Sequence, residues 1–302
     1  MALNRALFTK QLNLGLNTVF GMEYDRYPEQ WRALYSTEQS MKAFEEDVQM
    51  IGFGAAPTKA EGAMINYDSG REGFVSRYVH ETVALAFAIT EEAEEDGLYG
   101  SLGAKYARAL ARSMQQTKEI KGANVFNNAT GTSVGGDGVS LLNGSHPLGG
   151  GGTASNKLAT AADLSETSLE TLLVQISTAV DDRSIPVALS GRKLAVPPQL
   201  VFIAERILKS NLRPGTADND INAMRNMGMI PEGVVVNQRF TDPDAYFILT
   251  DCPDGMKHFV RAPIKKAVEG DFETGNLRYK VRERYSFGFT DWRGVYGSEG
   301  AA

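Results

Sequence analysis

Apolar and polar positions alternate most strictly near the C-terminus. Leu277, Tyr279, Val281, Glu283, Tyr285, Phe287 and Phe289 fall on one face, and Arg278, Lys280, Arg282, Arg284, Ser286 and Gly288 on the other. A period of two predicts a strand with one apolar face and one that starts strongly basic. The same period runs through Val75, Arg77, Val79, Glu81, Val83, Leu85, Phe87 and Ile89. Asp68-Ser69-Gly70 ahead of it is a turn signal between two extended runs, so Gly52 to Thr90 is predicted as one long hairpin. A two-stranded hairpin is marginal alone in water, so it must lie on another surface, in this subunit or a neighbouring one.

Helical spacing marks further blocks. A leucine-dotted N-terminal segment leads to Met41, Phe44, Val48 and Ile51, which predict a helical run. No compact core suggests itself there, and the segment reads as an arm that packs on something else. Leu102, Tyr106, Leu110, Ser113, Thr117, Ile120 and Asn124 form one stripe, with Lys105, Arg108 and Arg112 roughly opposite. A single helix from Leu102 to Asn124 would be about 34 Å long at ~1.5 Å per residue, a strut longer than most globular helices. Leu169, Leu172, Leu173, Ile176 and Val180 make a clean stripe behind a cap at Ser165 or Thr167, and Thr167 to Glu170 fits a capping box. GRKLAVPPQLVFIAERILKS predicts a strand, a double proline and a helix. GVVVNQRF and AYFILTD predict two strands that flank a turn at Thr241 to Asp244. Between strut and capped helix, residues 131–152 are glycine-rich and aperiodic, so they are functional or mobile. Glu91 to Asp96 reads as a solvated turn or as the start of a helix.

Composition narrows the classes. The 302 residues are 42% hydrophobic and 23% charged, an ordinary globular balance with room for two domains or one elaborated one. The formal net charge of -6 argues against attraction of the whole protein to nucleic acid but leaves room for a local basic face. One cysteine, Cys252, excludes an intramolecular disulfide and any multi-cysteine metal site. No apolar run approaches the ~20 residues of a membrane span, and MALNRALFTKQLNLGLNTVF lacks the continuous apolar core of a secretory signal.

The stretch most suggestive of chemistry is LLNGSHPLGGGGTASNKL, Leu141 to Leu158. It fails the phosphate tests. Lys157 is followed by Leu158 where a P-loop needs a hydroxyl, and Gly136-x-Gly138 lacks the third glycine and the preceding strand of a dinucleotide fingerprint. His146 precedes Pro147 with no nearby Cys or Asp, and His80, His146 and His258 lack metal-ligand spacing. Adjacent acids such as Glu45-Glu46 and Asp181-Asp182 read as solvated ends of elements, and Cys252 has no evident basic activator. The expectation is therefore no catalytic residue, no metal and no cofactor. The basic rows Lys105, Arg108, Arg112 and Arg278, Lys280, Arg282, Arg284 suit salt bridges or phosphate contact, with salt bridging favoured by the net negative charge. Aromatic interleaving for single-strand stacking is absent from the basic face of the last strand.

In order, the pieces are arm, hairpin, acidic turn, long helix, glycine loop, second helix, strand–Pro–Pro–helix, meander and arginine-rich strand. That order resembles the major capsid proteins of tailed bacteriophages with the Hong Kong 97-type fold. The stretches that carry the resemblance are LAFAITEEAEEDGLYG, KGANVFNNA, GVSLLNGSHPLGGGGTASNKL, LAVPPQLVFIAERILKS and VRERYSFGFTDWRGVYGS, and it spans about Gly52 to Ser298. The N-terminal part looks like the arm of Mu-like head subunits. The resemblance implies an α+β fold with an N-terminal arm (1–51), an extended hairpin loop (52–90), and a peripheral domain (91–164) holding the spine helix 102–124 and the glycine loop 131–152. An axial domain (165–253) and return strands to the peripheral domain (254–302) would follow. It implies self-assembly into hexamers and pentamers of an icosahedral head around double-stranded DNA, bound without sequence preference. It also implies a portal, a decoration protein and a location in the virion after assembly in the host cytoplasm, with no membrane partner.

On the resemblance, Lys59, Tyr67, Arg71, Phe74 and Arg77 are the hairpin's candidates for contact with a neighbouring subunit. Gly149, Gly150, Gly151 and Gly152 would be a hinge between domains. Some members join a hairpin lysine to a neighbour's asparagine. Lys59 lies in the right region but without a matching acceptor or catalytic acid, so an ordinary surface lysine is the default. Members with a built-in scaffold carry a long helical segment before the arm. Only about fifty residues precede the hairpin here, which implies a separate scaffolding protein or a processed chain. The competing readings are an encapsulin-like shell of the same fold, an enzyme built on the glycine loop, and a DNA-binding module.

Overall fold

The computed structural model describes residues 5–90, 92, 99–213, 220–271 and 275–301. The chain runs through α1 (Arg5–Tyr24), a 3-10 turn at Trp31–Ala33, β1 (Ser36–Gln39), β2 (Phe44–Ile51), β3 (Arg71–Val79), β4 (Glu81–Ile89) and α2 (Tyr99–Asn127). Next come β5 (His146–Pro147), β6 (Thr153–Ala154), α3 (Glu166–Ser177), β7 (Gly191–Val196), α4 (Val201–Lys209) and α5 (Ala223–Met227). The last elements are β8 (Val234–Val236), β9 (Tyr246–Thr250), β10 (Met256–Gly270), β11 (Leu277–Phe289) and β12 (Val295–Ser298).

Two four-stranded sheets organise the molecule, ordered β1-β10-β11-β4 and β12-β9-β7-β8. In the first, the apolar face of β11 lies over α1 and α2. Leu16 and Phe20 of α1, Leu110 and Met114 of α2, and Tyr279 and Val281 of β11 form one small core. Tyr279 donates to Asn17 Oδ1 at 2.9 Å, which ties sheet to arm. The second sheet packs on α3 and α4. Its core reaches through Leu141, Leu142, Phe126 and Trp292 to the 3-10 turn at Trp31. Ser165 caps α3 and Ser168 returns the bond, so the reciprocal box forms at Ser165–Ser168 and not at Thr167–Glu170. A serine at the third position makes the same pair of bonds a glutamate would.

Three expectations are corrected. The run through Met41, Phe44, Val48 and Ile51 is not helical. It is β2, paired antiparallel with β3 from Phe44↔Val79 to Ile51↔Arg71. Four apolar residues at that spacing fit either element, and the available edge of β3 decides. The hairpin therefore starts at Phe44, with residues 52–70 as its loop, and the chain switches sheets at His80 to continue as β4 beside β11. The stretch after 254 also divides, because β12 pairs with β9 in the second sheet and does not stay with β10 and β11.

The strut helix runs over 29 residues, longer than expected, but its buried seam is not the predicted one. Gly103, Ala107, Leu110, Ala111, Met114, Gln115, Glu119, Gly122, Ala123 and Phe126 face inward, while Tyr106 and Ile120 are exposed. The seam is built of small residues because neighbours come close. A Cβ on Gly122 would lie 2.9 Å from the Trp31 Cβ. A pattern search weighted toward large apolar residues passes over such a seam. Glu91 and residues 93–96 of the acidic run lie outside the described residues.

Candidate functional site: an exposed hairpin loop on a buried polar joint

Residues 52–70, between β2 and β3, form no regular secondary structure, and every one except Gly54 is exposed. Met64, Ile65 and Tyr67 are 88%, 68% and 93% exposed, and Phe53 stands out at the root. Large apolar groups do not gather in water on one loop without a partner surface. Only the ends of the loop are tied down. Asp68 accepts from the Gly54 N–H at 2.7 Å and from Arg183 Nη1 at 2.9 Å, and Arg183 Nη2 donates to the Ser69 carbonyl at 2.6 Å. The backbone N–H groups of Gly54 and Ser69, with Arg183 beside them, hold the Asp68 carboxyl below its usual range.

Beneath the loop lies a polar joint that joins four distant segments. Gln49 of β2 donates to Asp182 at 3.1 Å. Asp182 Oδ1 accepts from the Gly149 N–H at 3.2 Å, and the Asp182 carbonyl accepts from the Gly150 N–H at 2.7 Å. Arg293, 4% exposed, spans Asp291 at 3.2 Å and Asp182 at 3.5 Å and donates to the Val180 carbonyl at 2.8 Å. Burial pushes the Asp291 carboxyl up, and Arg293 pulls against it. Arg293 also lies over the Trp292 ring, which stacks on His146 with ring centres 4.3 Å apart. His146 is fully buried, with Nδ1 2.6 Å from Asp137 and Nε2 3.2 Å from Asn156. Asn156 in turn donates to the carbonyls of Leu141 at 2.6 Å and Val295 at 2.9 Å.

This corrects the reading of the glycine loop. Residues 131–152 are not structureless, His146 does have an aspartate partner, and Asp182 is buried rather than solvated. A Cβ on Gly149 would overlap Ile51, and one on Gly150 would overlap the Asp182 carbonyl. Gly151 and Gly152 turn the chain at φ 101 and 91, a region side chains avoid. These glycines serve close approach and a tight turn. Arg293, Gln49 and the Asp137–His146 pair were missed because their partners lie far apart in the chain or across an aperiodic loop. The exposed loop had a readable signal, since AMINY (Ala63 to Tyr67) is an apolar-rich run with neither glycine nor proline among glycine-rich neighbours.

The hairpin candidates separate. Lys59 and Tyr67 stand in solvent. Arg71 is engaged at home by donating to the Gly149 carbonyl, Arg77 lies 3.9 Å over the Phe44 ring, and Phe74 is half-buried. The basic rows separate too. Arg112 is taken by Glu23 of α1 at 2.6 Å, which lowers the Glu23 carboxyl, while Lys105 and Arg108 stay exposed. Arg278 pairs with Asp271, Lys280 and Arg282 are exposed, and Arg284 is half-buried. Burial pushes the Cys252 thiol up to about 12, away from thiolate chemistry. Among the described residues no group of three His, Cys, Asp or Glu side chains is placed to hold a metal ion, and no helix is long and apolar enough to cross a membrane.

The family model described as phage capsid protein matches residues 74–298. The capsid of an empty GTA particle is 12% identical with a TM-score of 0.56, over 91% of this chain and 90% of that chain. A virus-like particle from Pyrococcus furiosus is 12% identical with a TM-score of 0.51, over 96% and 98%. A structure from Mycobacterium phage Che8 is 15% identical with a TM-score of 0.51, over 85% and 84%. At such identities these likenesses establish the fold. No curated protein sequence matches the chain.

Proposed function

The chain belongs to the phage capsid protein family and has the Hong Kong 97-type fold, and from that premise we propose that it is a major capsid subunit whose copies close into an icosahedral head around double-stranded DNA. A capsid shell protein is a structural protein, and its family and fold are not in general those of enzymes. The observation that carries the finer reading is the loop 52–70. It holds Met64, Ile65 and Tyr67 out in solvent while its root is fastened through Asp68, Arg183, Arg71 and the Gln49–Asp182–Arg293 joint. An apolar finger fastened at its root, with its large side chains held out in solvent, suits a neighbouring copy.

On this reading β2, β3 and their loop overlie the next subunit, α2 and the first sheet form the peripheral domain, and the second sheet with α3 and α4 forms the axial domain at fivefold and sixfold centres. Assembly in the host cytoplasm with a scaffolding protein, a portal at one vertex and a decoration protein outside belongs to the same proposal. Purified chain is expected to form capsomers or closed shells visible by electron microscopy. A small monodisperse monomer across a wide range of salt and protein concentration would overturn the proposal. The likeness to the virus-like particle from Pyrococcus furiosus keeps one alternative, a nanocompartment shell around a cargo protein. Particles isolated from the producing cells decide it, since a head yields long double-stranded DNA and a cargo shell yields an enclosed protein.

A further inference from the structure

The strand register places a compact basic patch on the outward face of the first sheet. Arg282 of β11 lies directly opposite Lys265 of β10 on one side and Ala84 of β4 on the other. Lys280 lies between Ala267 and Ala86, and Arg284 between Ala262 and Thr82. All of these positions are exposed except Arg284 and Ala262, which are half-buried. Arg278, at the end of the row, is balanced by Asp271 and faces Glu269. Among the described residues no carboxylate forms an ion pair with Lys265, Lys280 or Arg282. Like charges directly opposite on neighbouring strands are destabilising, so the Arg282–Lys265 pair is an unfavourable arrangement unless an anion covers it.

We propose that this face binds the phosphate backbone of the double-stranded DNA inside the shell, which rests on the capsid reading above and adds the surface that meets the nucleic acid. Alternate residues of a strand stand about 6.7 Å apart and neighbouring strands about 4.8 Å apart, so the cations form a tight cluster. Duplex DNA carries one charge per about 1.7 Å of axis, a density that a lone carboxylate does not match. The flanking alanines keep the sheet low, so the cationic side chains are its tallest groups and reach a convex backbone. Phe259, farther along this face opposite Ser286, is buried under Tyr78, so the exposed part around Lys265, Lys280 and Arg282 presents no aromatic side chain, which suits a duplex backbone and not stacked single-stranded bases. A second copy is the weaker partner, because stable protein interfaces have an apolar or aromatic centre depleted in charge. The exposed apolar side chains Met64, Ile65 and Tyr67 belong to the hairpin loop instead.

The test compares the full chain before assembly with a triple variant, Lys265→Gln, Lys280→Gln, Arg282→Gln. Anisotropy of a labelled random-sequence duplex is titrated at several salt concentrations. Loss of three phosphate contacts should flatten the slope of log K against log salt by about 2.7, at roughly 0.9 per contact. A control variant, Lys105→Gln with Arg108→Gln on α2, should keep the wild-type slope. Wild-type chain that does not bind duplex, or a triple variant with the wild-type slope, overturns the proposal. Shell formation by the triple variant is the separate readout. Failure to assemble with duplex binding unchanged would assign the face to carboxylates of a second copy and leave the capsid reading standing.

Discussion

Two glycine-bearing loops, 52–70 and 141–158, use the same residue for opposite ends. In the second, glycine removes side chains so that backbones can touch: Gly150 donates to the Asp182 carbonyl at 2.7 Å, and His146 and Asn156 are fully buried. In the first, glycines flank apolar groups that stand largely in solvent. Of the four-glycine run, Gly149 and Gly150 approach Ile51 and Asp182 closely, while Gly151 and Gly152 turn in open space. Glycine content alone does not distinguish freedom from close approach. What separates the loops is where their polar groups go, since the packed loop bonds to Asp137, Asp182 and Val295, and the exposed loop, apart from one turn at Ala60–Ala63, bonds at its root.

That contrast is breakable. Gly150→Ala should have the largest effect, costing about 3 kcal/mol, because its Cβ meets backbone that cannot move aside. A urea midpoint within error of wild type would show that the loop yields.

Acid should loosen the packed body next. Burial among Trp31, Tyr285 and Phe287, helped by Lys118 and Arg32, lowers the His258 imidazole from 6.5 to about 3. Between those values the unfolded chain binds a proton that the folded chain does not. Stability should therefore be fully present above 6.5 and fall as the pH drops toward 3, by up to about 1.4 kcal/mol per pH unit. His258→Phe should flatten that dependence, and an unchanged acid slope in the variant would remove His258 as its source.

Gly62→Ala in the exposed loop should cost about 1 to 2 kcal/mol. Gly62 has φ 76, unfavourable for alanine, but open space around it. A loss as large as that of Gly150→Ala would erase the distinction between the loops. Smallest in stability is Met64→Ser with Tyr67→Ser, within about 0.5 kcal/mol of wild type by urea unfolding. Its effect should appear in assembly, as fewer shells at a given concentration by light scattering. Undiminished assembly would mean that the loop is not the contact.

Much of the fold was legible because periodicity is a local property. β11 and α3 carry their buried faces in plain alternation and plain heptad-like spacing, and the double proline starts the turn before α4 as expected. The buried seam of α2 was not legible, since glycine and alanine at contact positions look the same as glycine and alanine anywhere. β2 was misread because its apolar spacing suits a helix until β3 is known to lie beside it. Of the candidate site, Lys59 and Tyr67 belong to a loop whose residues stand exposed, while the Asp182–Arg293–Asp291 joint left no local mark.

By itself, then, the sequence determined which stretches are strands and helices over most of the chain, which face of β11 is apolar, and the order of elements that resembles a capsid subunit. Each follows from neighbours within a few residues. Only the tertiary structure decided which strand lies against which, that Arg282 faces Lys265, that Asp137 answers His146, and that Gly150 exists for Asp182. Those are relations between segments brought together by burial of a shared core, and no local period encodes them.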